Sequence, residues 1–248
     1  KPFWKFVASW AVCISNPSDL GYDGSAYVLP PLNIQEHIVE VDHSVNTDGM
    51  LFRCPDLSAT GLHREMRLTA SDRAERVAEI IADKPNERWL IWCSTDYEAD
   101  AVRALLPGAV EVRGPQSQEA KESAIMHFMD FPSDWLISKL SIFGFGLNLQ
   151  CCRNMVFMGL SYSFEQFYQG IRRCWRFGQT APVNVHIVIA ETEGAILSSI
   201  RRKEAQFEEL QREMNEAMRE EQLTARHKNA VYAHEMEMEI PTWLLTSK

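Results

Sequence analysis

The sequence predicts an α/β protein: a mostly parallel sheet with helices on both faces, followed by a long amphipathic helix. Two observations predict it. Near-continuous apolar runs of three to eight residues alternate with helical stripes from residue 69 to residue 190, and the connections between them are short. Strands apolar on both sides belong in a sheet covered on both faces, and strand–helix alternation brings successive strands in parallel. A third pattern, apolar residues at three, four and seven residue steps after Glu191, predicts the closing helix.

The elements follow in order. Phe6 to Ile14 is apolar enough for a buried strand or a short helix, and Asn16 to Gly24 is rich in turn formers. Gln35 to Val41 has strand character. Residues 1–68 as a whole read as the end of one lobe and a connector. Thr69-x-x-Asp72 has the form of a capping box with Asp in place of Glu. Ala74, Val77, Ala78, Ile80 and Ile81 then form a helical stripe that stops before Pro85. Strands are expected at Trp89–Cys93, Val110–Val112, Trp135–Ser138, Asn154–Met158 and Val183–Ala190. Helices are expected over Glu98–Leu106, Gln118–Phe128 and Ser163–Trp175. Residues 69–191 thus form the main domain, and 192–248 an amphipathic helix, placed over 192–222, with a tail.

Composition narrows the function. The chain has 248 residues, 46% hydrophobic and 24% charged, with a formal charge of -9. It should fold, and it should not coat nucleic acid by bulk charge. A local basic face is still allowed: from Ser133 to Pro182, five basic residues (Lys139, Arg153, Arg172, Arg173, Arg176) stand against two acidic ones (Asp134, Glu165). Six cysteines without a Cys-x-x-Cys pair argue for free thiols and against zinc. No apolar run is long enough for a membrane span and no signal sequence is visible, so the chain reads as cytoplasmic. It opens on Lys1 without an initiator Met, which suggests truncation or processing.

In an open parallel sheet, ligands bind at the carboxyl ends of strands. Ser94-Thr95-Asp96 occupies that position after the strand at Trp89, Ser138 through Gln150 after the strand at Trp135, and a third loop leads into the helix at Ser163. Gly144 and Gly146 permit a tight turn against phosphate or a nucleic-acid strand, or serve the loop alone. Asn148 and Gln150 either face a ligand or cap the next turn. Gln169, Arg173 and Arg176, spaced four and three apart, share a face if the helix runs on. Their arginine forks suit bidentate phosphate contact; salt bridges to acidic helices are the structural alternative. Trp175 and Phe177 alternate with the arginines and are expected to anchor the helix end in the core.

From Trp89 to Ala190 the chain resembles the second RecA-like lobe of superfamily 2 helicases, closest to the Swi/Snf-type translocase branch and its phage relatives. Phe145-Gly146-Leu147-Asn148-Leu149-Gln150 resembles that family's motif V, and Gln169 to Gln179 resembles its motif VI, in the right order and one strand–helix unit apart. Leu29-Pro30-Pro31 is similar to the passage between the two lobes. The resemblance implies roles residue by residue. Arg176 would be the arginine finger at the γ-phosphate and Arg173 its partner. Gln169, Gly146 and Asn148 would serve the nucleotide side. Ser94, Thr95, Gln150 and Arg172 would serve nucleic acid, expected to be DNA. Arg172 departs from the family's usual Asp, and Phe145 from a small residue.

The chain contains no Gly-x-x-x-x-Gly-Lys-[Ser/Thr] segment and no Asp-Glu-x-His run, the usual phosphate cradle and Mg²⁺ ligands of such motors. The reading is therefore the C-terminal lobe of an ATP-dependent DNA helicase or translocase, inactive alone, with ATP and Mg²⁺ bound only together with a first lobe. A non-hydrolysing nucleic-acid clamp and a structural scaffold are the alternatives.

Overall fold

The computed structural model describes residues 2–8, 14, 16–41, 59–142 and 147–229. The chain divides into two compact units, residues 28–206 and residues 1–27 with 207–248.

In the larger unit a six-stranded sheet has the order β1-β6-β5-β2-β4-β3, every pair parallel. Its strands are β1 (Leu32–Val39), β2 (Trp89–Cys93), β3 (Val110–Val112), β4 (Trp135–Lys139), β5 (Asn154–Met158) and β6 (Val183–Ala190). β2 and β5 are buried at every residue, as strands covered on both faces must be. The covering helices are α2 (Ala59–Leu68), α3 (Ala70–Ala82), α4 (Asp96–Leu105), α5 (Gln118–Asp130), α6 (Phe164–Ile171) and the start of α7 (Gly194–Asn229). One face holds Leu90, Trp92, Phe157 and Phe167 with Ile196 and Ile200 of α7; the other holds Val77, Ile81, Ile91, Val102 and Val156. Each fully buried large side chain contributes roughly 1.5–3 kcal/mol relative to exposure. These two layers therefore hold the carboxyl ends of the strands in fixed relation.

Three expectations are corrected. The sheet takes its first strand from 32–39, which the sequence reading leaves in the connector ahead of residue 69; β1 pairs with β6 over eight consecutive positions, from Leu32↔Val183 to Val39↔Ala190. Across this seam His37 Nε2 and His186 Nδ1 are 3.0 Å apart, and burial pushes His186 down to about 4. Thr69 does precede α3, but its hydroxyl makes no cap bond and instead donates to the Glu65 carbonyl at 2.9 Å. Finally, α7 runs to Asn229 rather than stopping at 222, and Leu210 on its expected apolar stripe is exposed.

The smaller unit holds helices joined by turns where it is described. α1 (Pro2–Ala8) places the Trp4 indole N–H on Glu213 at 2.8 Å, and Arg219 pairs with Asp19 at 3.3 Å. Of the buried strand or short helix expected over 6–14, residues 6–8 belong to α1, Phe6 and Ile14 are exposed, and residues 9–13 lie outside the described ones.

Candidate functional site

The arginine segment leaves the helix earlier than its periodicity suggests. α6 ends at Ile171, and the following N–H groups bond at mixed separations along the chain: Arg172 to the Tyr168 carbonyl at 3.0 Å, Arg173 to Gly170 at 3.3 Å, Trp175 to Ile171 at 2.9 Å and Arg176 to Cys174 at 3.2 Å. Two contacts compete for the carbonyls a longer helix would use. Leu149 N–H donates to the Arg173 carbonyl at 2.9 Å. The Gln179 amide donates to the carbonyls of Gln150, Cys152 and Cys174 at 3.0, 3.3 and 3.4 Å. Gly178 closes the turn at φ 92°, and a Cβ there would meet the Gln150 amide at 2.6 Å. The loop at 147–152 and the turn at 172–179 are thereby stitched into one body.

Gln169, Arg173 and Arg176 consequently do not share one α-helical face. Gln169 is exposed on the last turn of α6, Arg176 is half-buried, and Arg173 is only 8% exposed. Burial, and then the neighbouring Arg176 charge, hold the Arg173 guanidinium below its ordinary pKa. Arg172 lies over the Trp175 ring, 5.5 Å from its centre. Trp175 anchors the turn as expected, through core packing and an N–H bond to the Pro30 carbonyl at 2.8 Å. Phe177 does not; it is 57% exposed.

Of the two roles left open for Asn148, the structure shows a cap: its side chain, exposed, accepts from Gln150 N–H at 3.3 Å. The Gln150 side chain packs beneath Gly178. Gly146, with Phe143, Gly144 and Phe145, lies outside the described residues.

Ser94 and Thr95 belong to a second place, a cavity of about 530 Å³ at the carboxyl ends of β2, β4 and β5. Lys139, Ser141, Ser161 and Ser163 line it with them. The chain crosses from one side of β2 to the other between β4 and β5, so this is a switch point of the sheet. Two helices begin here. Thr95 caps α4, its hydroxyl accepting from Glu98 N–H at 3.4 Å, while Glu98 Oε2 accepts from the N–H groups of Ser94 and Thr95 at 2.8 and 3.0 Å. Ser163 caps α6, accepting from Gln166 N–H at 3.3 Å. Helix N-termini carry partial positive charge and attract anions, and Lys139 adds a full one. Lys139 pairs with exposed Asp96 at 2.6 Å, a hydrogen bond that holds the Asp96 carboxyl below its usual range.

Beneath this rim lies a buried charge network. Arg73 donates to Glu98 Oε1 at 2.8 Å, faces Glu193 at 3.6 Å, and also bonds the Met66 carbonyl at 2.6 Å and Thr69 Oγ1 at 3.1 Å. All three charged side chains have no exposed surface. Gly159, at φ 76°, passes so close that a Cβ would meet Arg73 at 2.6 Å.

α6 joins the two places, with its first turn at the cavity and its last leading into the arginine turn. Its eight residues span about 12 Å. Gly170 lets it sit tightly on the sheet, because a Cβ there would meet Leu140 at 2.6 Å and the Phe157 ring at 3.0 Å. Sequence reasoning named Ser94 and Thr95 as site residues and also the strand-end segments that hold Lys139, Ser141, Ser161 and Ser163, but gave those four no individual role. The available signal was Ser-x-Ser opening a helix directly after a buried strand.

Residues 72–178 match the family described as helicase conserved C-terminal domain. This segment is a helicase C-terminal domain. Among solved structures, the chain is similar to the C-terminal part of the Fun30 ATPase domain, at 21% identity and a TM-score of 0.47, over 52% of this chain and 44% of that one. It is also similar to domain 2 of the DEAD-box helicase Mss116p bound to an RNA duplex, at 13% identity and a TM-score of 0.44, over 56% of each chain. The chain thus spans about half of the length of these solved chains. No curated protein matches the sequence. Among the described residues, no helix is long and apolar enough to cross a membrane.

Proposed function

We propose that this helicase C-terminal domain is the closing lobe of an ATP-dependent DNA translocase of the Swi/Snf type, acting with a first RecA-like lobe that holds ATP and Mg²⁺. The observation that carries the reading is the arginine turn. Arg173 and Arg176 stand side by side in a turn tied at Leu149, Gln150, Cys152 and Cys174, and burial and mutual repulsion both act against the charge on Arg173. A nucleotide phosphate relieves that repulsion, and a preorganised fork meets the charge of phosphoryl transfer without reorganising. Arg176 acts as the finger, Arg173 supports it, and Gln169, Gly146 and Asn148 serve the nucleotide side.

The cavity supplies the nucleic-acid side. Ser94, Thr95 and Lys139, with the first turns of α4 and α6, favour backbone phosphates of DNA. Arg172, at the arginine turn, and Gln150, in the loop tied to it, serve the same nucleic-acid strand. Nucleotide-driven closure pulls on the turn, and α6 passes that movement to the cavity.

The test is turnover. The 248-residue chain alone is expected to hydrolyse no ATP with or without DNA, and the protein carrying both lobes to show DNA-stimulated hydrolysis. Turnover by the chain alone would place a complete site within it and overturn the division of labour.

A further inference from the structure

Among the described residues, β1 is an edge strand with few of the usual protections. It is last in the strand order and bonds only β6 among the described residues, so alternate residues turn their N–H and C=O groups outward. Natural edges are commonly blunted by Lys, Pro, a bulge or a covering element. Leu32–Val39 contains no Lys, Pro or Gly, and its register with β6 runs without a bulge. Ile38 is 61% exposed and Ile34 39%.

Beside this edge runs an open groove of about 560 Å³. Four consecutive strand residues, Glu36 to Val39, line it. Strand faces alternate, so only an edge presents consecutive residues to one space. The opposite wall is one stripe of α3, Asp72, Glu75, Arg76 and Glu79, at helical spacing. Four of the lining residues are acidic. Arg76 is engaged by Glu79 at 2.7 Å and by His37 at 3.0 Å, and Arg201 holds Glu36. Asp72 and Glu75 are exposed and hold no ion pair among the described residues.

We propose that this edge docks an extended segment of a partner protein carrying Lys or Arg at alternating positions, added to the sheet beside β1. Main-chain hydrogen bonds to the edge supply generic affinity, and the acidic α3 wall selects the basic side chains. Charge argues against the other occupants. Residues 42–58 carry Asp42, Asp48 and Asp56 against Arg53, and residues 230–248 carry Glu235, Glu237 and Glu239 against Lys248. Both segments repel the groove, as does DNA, and a second copy would bring the same acidic wall.

The test is titration calorimetry of the 248-residue chain with a capped ten-residue peptide alternating Lys and Val, and with its Glu counterpart. The Lys peptide is expected to bind saturably, more weakly as salt rises, and to slow amide exchange across 32–39. The Glu peptide is expected not to bind. Asp72→Lys with Glu75→Lys should weaken binding on the order of tenfold, and the milder Glu75→Gln should weaken it less. No saturable binding, equal binding of both peptides, indifference to both variants, or protection outside β1 would each overturn the proposal. So would a dimer of the free chain, paired through β1, that excludes the peptide.

Discussion

Arg73 and Arg173 are both drawn out of water, and the lobe surrounds them in opposite ways. Arg73 has no exposed surface and meets two carboxylates, Glu98 and Glu193, together with a carbonyl and a hydroxyl. Arg173 keeps 8% of its surface and has a second arginine as the charge acting on it. The first arrangement is closed: it neutralises its cation internally and fixes α3, α4 and the start of α7. The second sets two arginines side by side at a turn tied by bonds to backbone carbonyls. A buried ion pair is a structural brace, whereas adjacent like charges make it costlier to keep both groups ionised.

The largest break in that comparison comes from removing the brace. Glu98→Ala leaves Arg73 short of its nearest carboxylate and removes the Glu98 half of the capping box of α4. It should lower folding stability by about 3–5 kcal/mol, read by denaturant unfolding. A loss below about 1 kcal/mol would mean the network behaves like a surface pair. Gly178→Ala attacks the other region. A left-handed turn and a clash with Gln150 should cost about 1–3 kcal/mol, and the two-lobed protein should lose ATPase activity beyond what its remaining folded fraction explains.

pH sharpens the contrast more gently. Burial is the main cause that raises the Glu193 carboxyl above its ordinary value of 4.5, with Arg73 opposing it. A carboxyl whose folded pKa is raised contributes stability below its unfolded value and loses it as pH rises through the folded one. Stability should therefore decline along that rise in the wild type, and Glu193→Gln should flatten the decline. The smallest effect is expected at the cavity. Lys139→Ala should weaken DNA binding a few-fold and reduce the salt slope by about one, leaving stability nearly unchanged. An unchanged slope would remove Lys139 from the phosphate contacts.

Much of the fold was legible in local pattern. Trp89–Cys93, Val110–Val112, Asn154–Met158 and Val183–Ala190 are strands with the expected bounds; β2, and β5 after Asn154, are uninterrupted apolar runs, as strands buried on both faces are. The partnership of β1 was not legible. Gln35–Val41 looked like a strand, but its eight pairs with β6 join residues about 150 apart, and no local pattern reports that. The early end of α6 was hidden for a related reason: Leu149 N–H and the Gln179 amide capture carbonyls that the 3.6-residue period assigns to the helix. Phe177 misled because an aromatic beside an arginine at a helix end reads as an anchor, while the turn leaves it 57% exposed. The Arg73–Glu98–Glu193 network was invisible, since its members lie on three separate elements and each resembles a solvated surface charge.

The arginine turn is most directly tested by DNA-stimulated ATP turnover of the two-lobed protein carrying Arg176→Ala. The account predicts a kcat lower by roughly 10³-fold or more, with folding stability and DNA affinity close to wild type. An unchanged kcat in a folded, DNA-binding variant would contradict it, and would leave the paired arginines a structural feature of a clamp or scaffold.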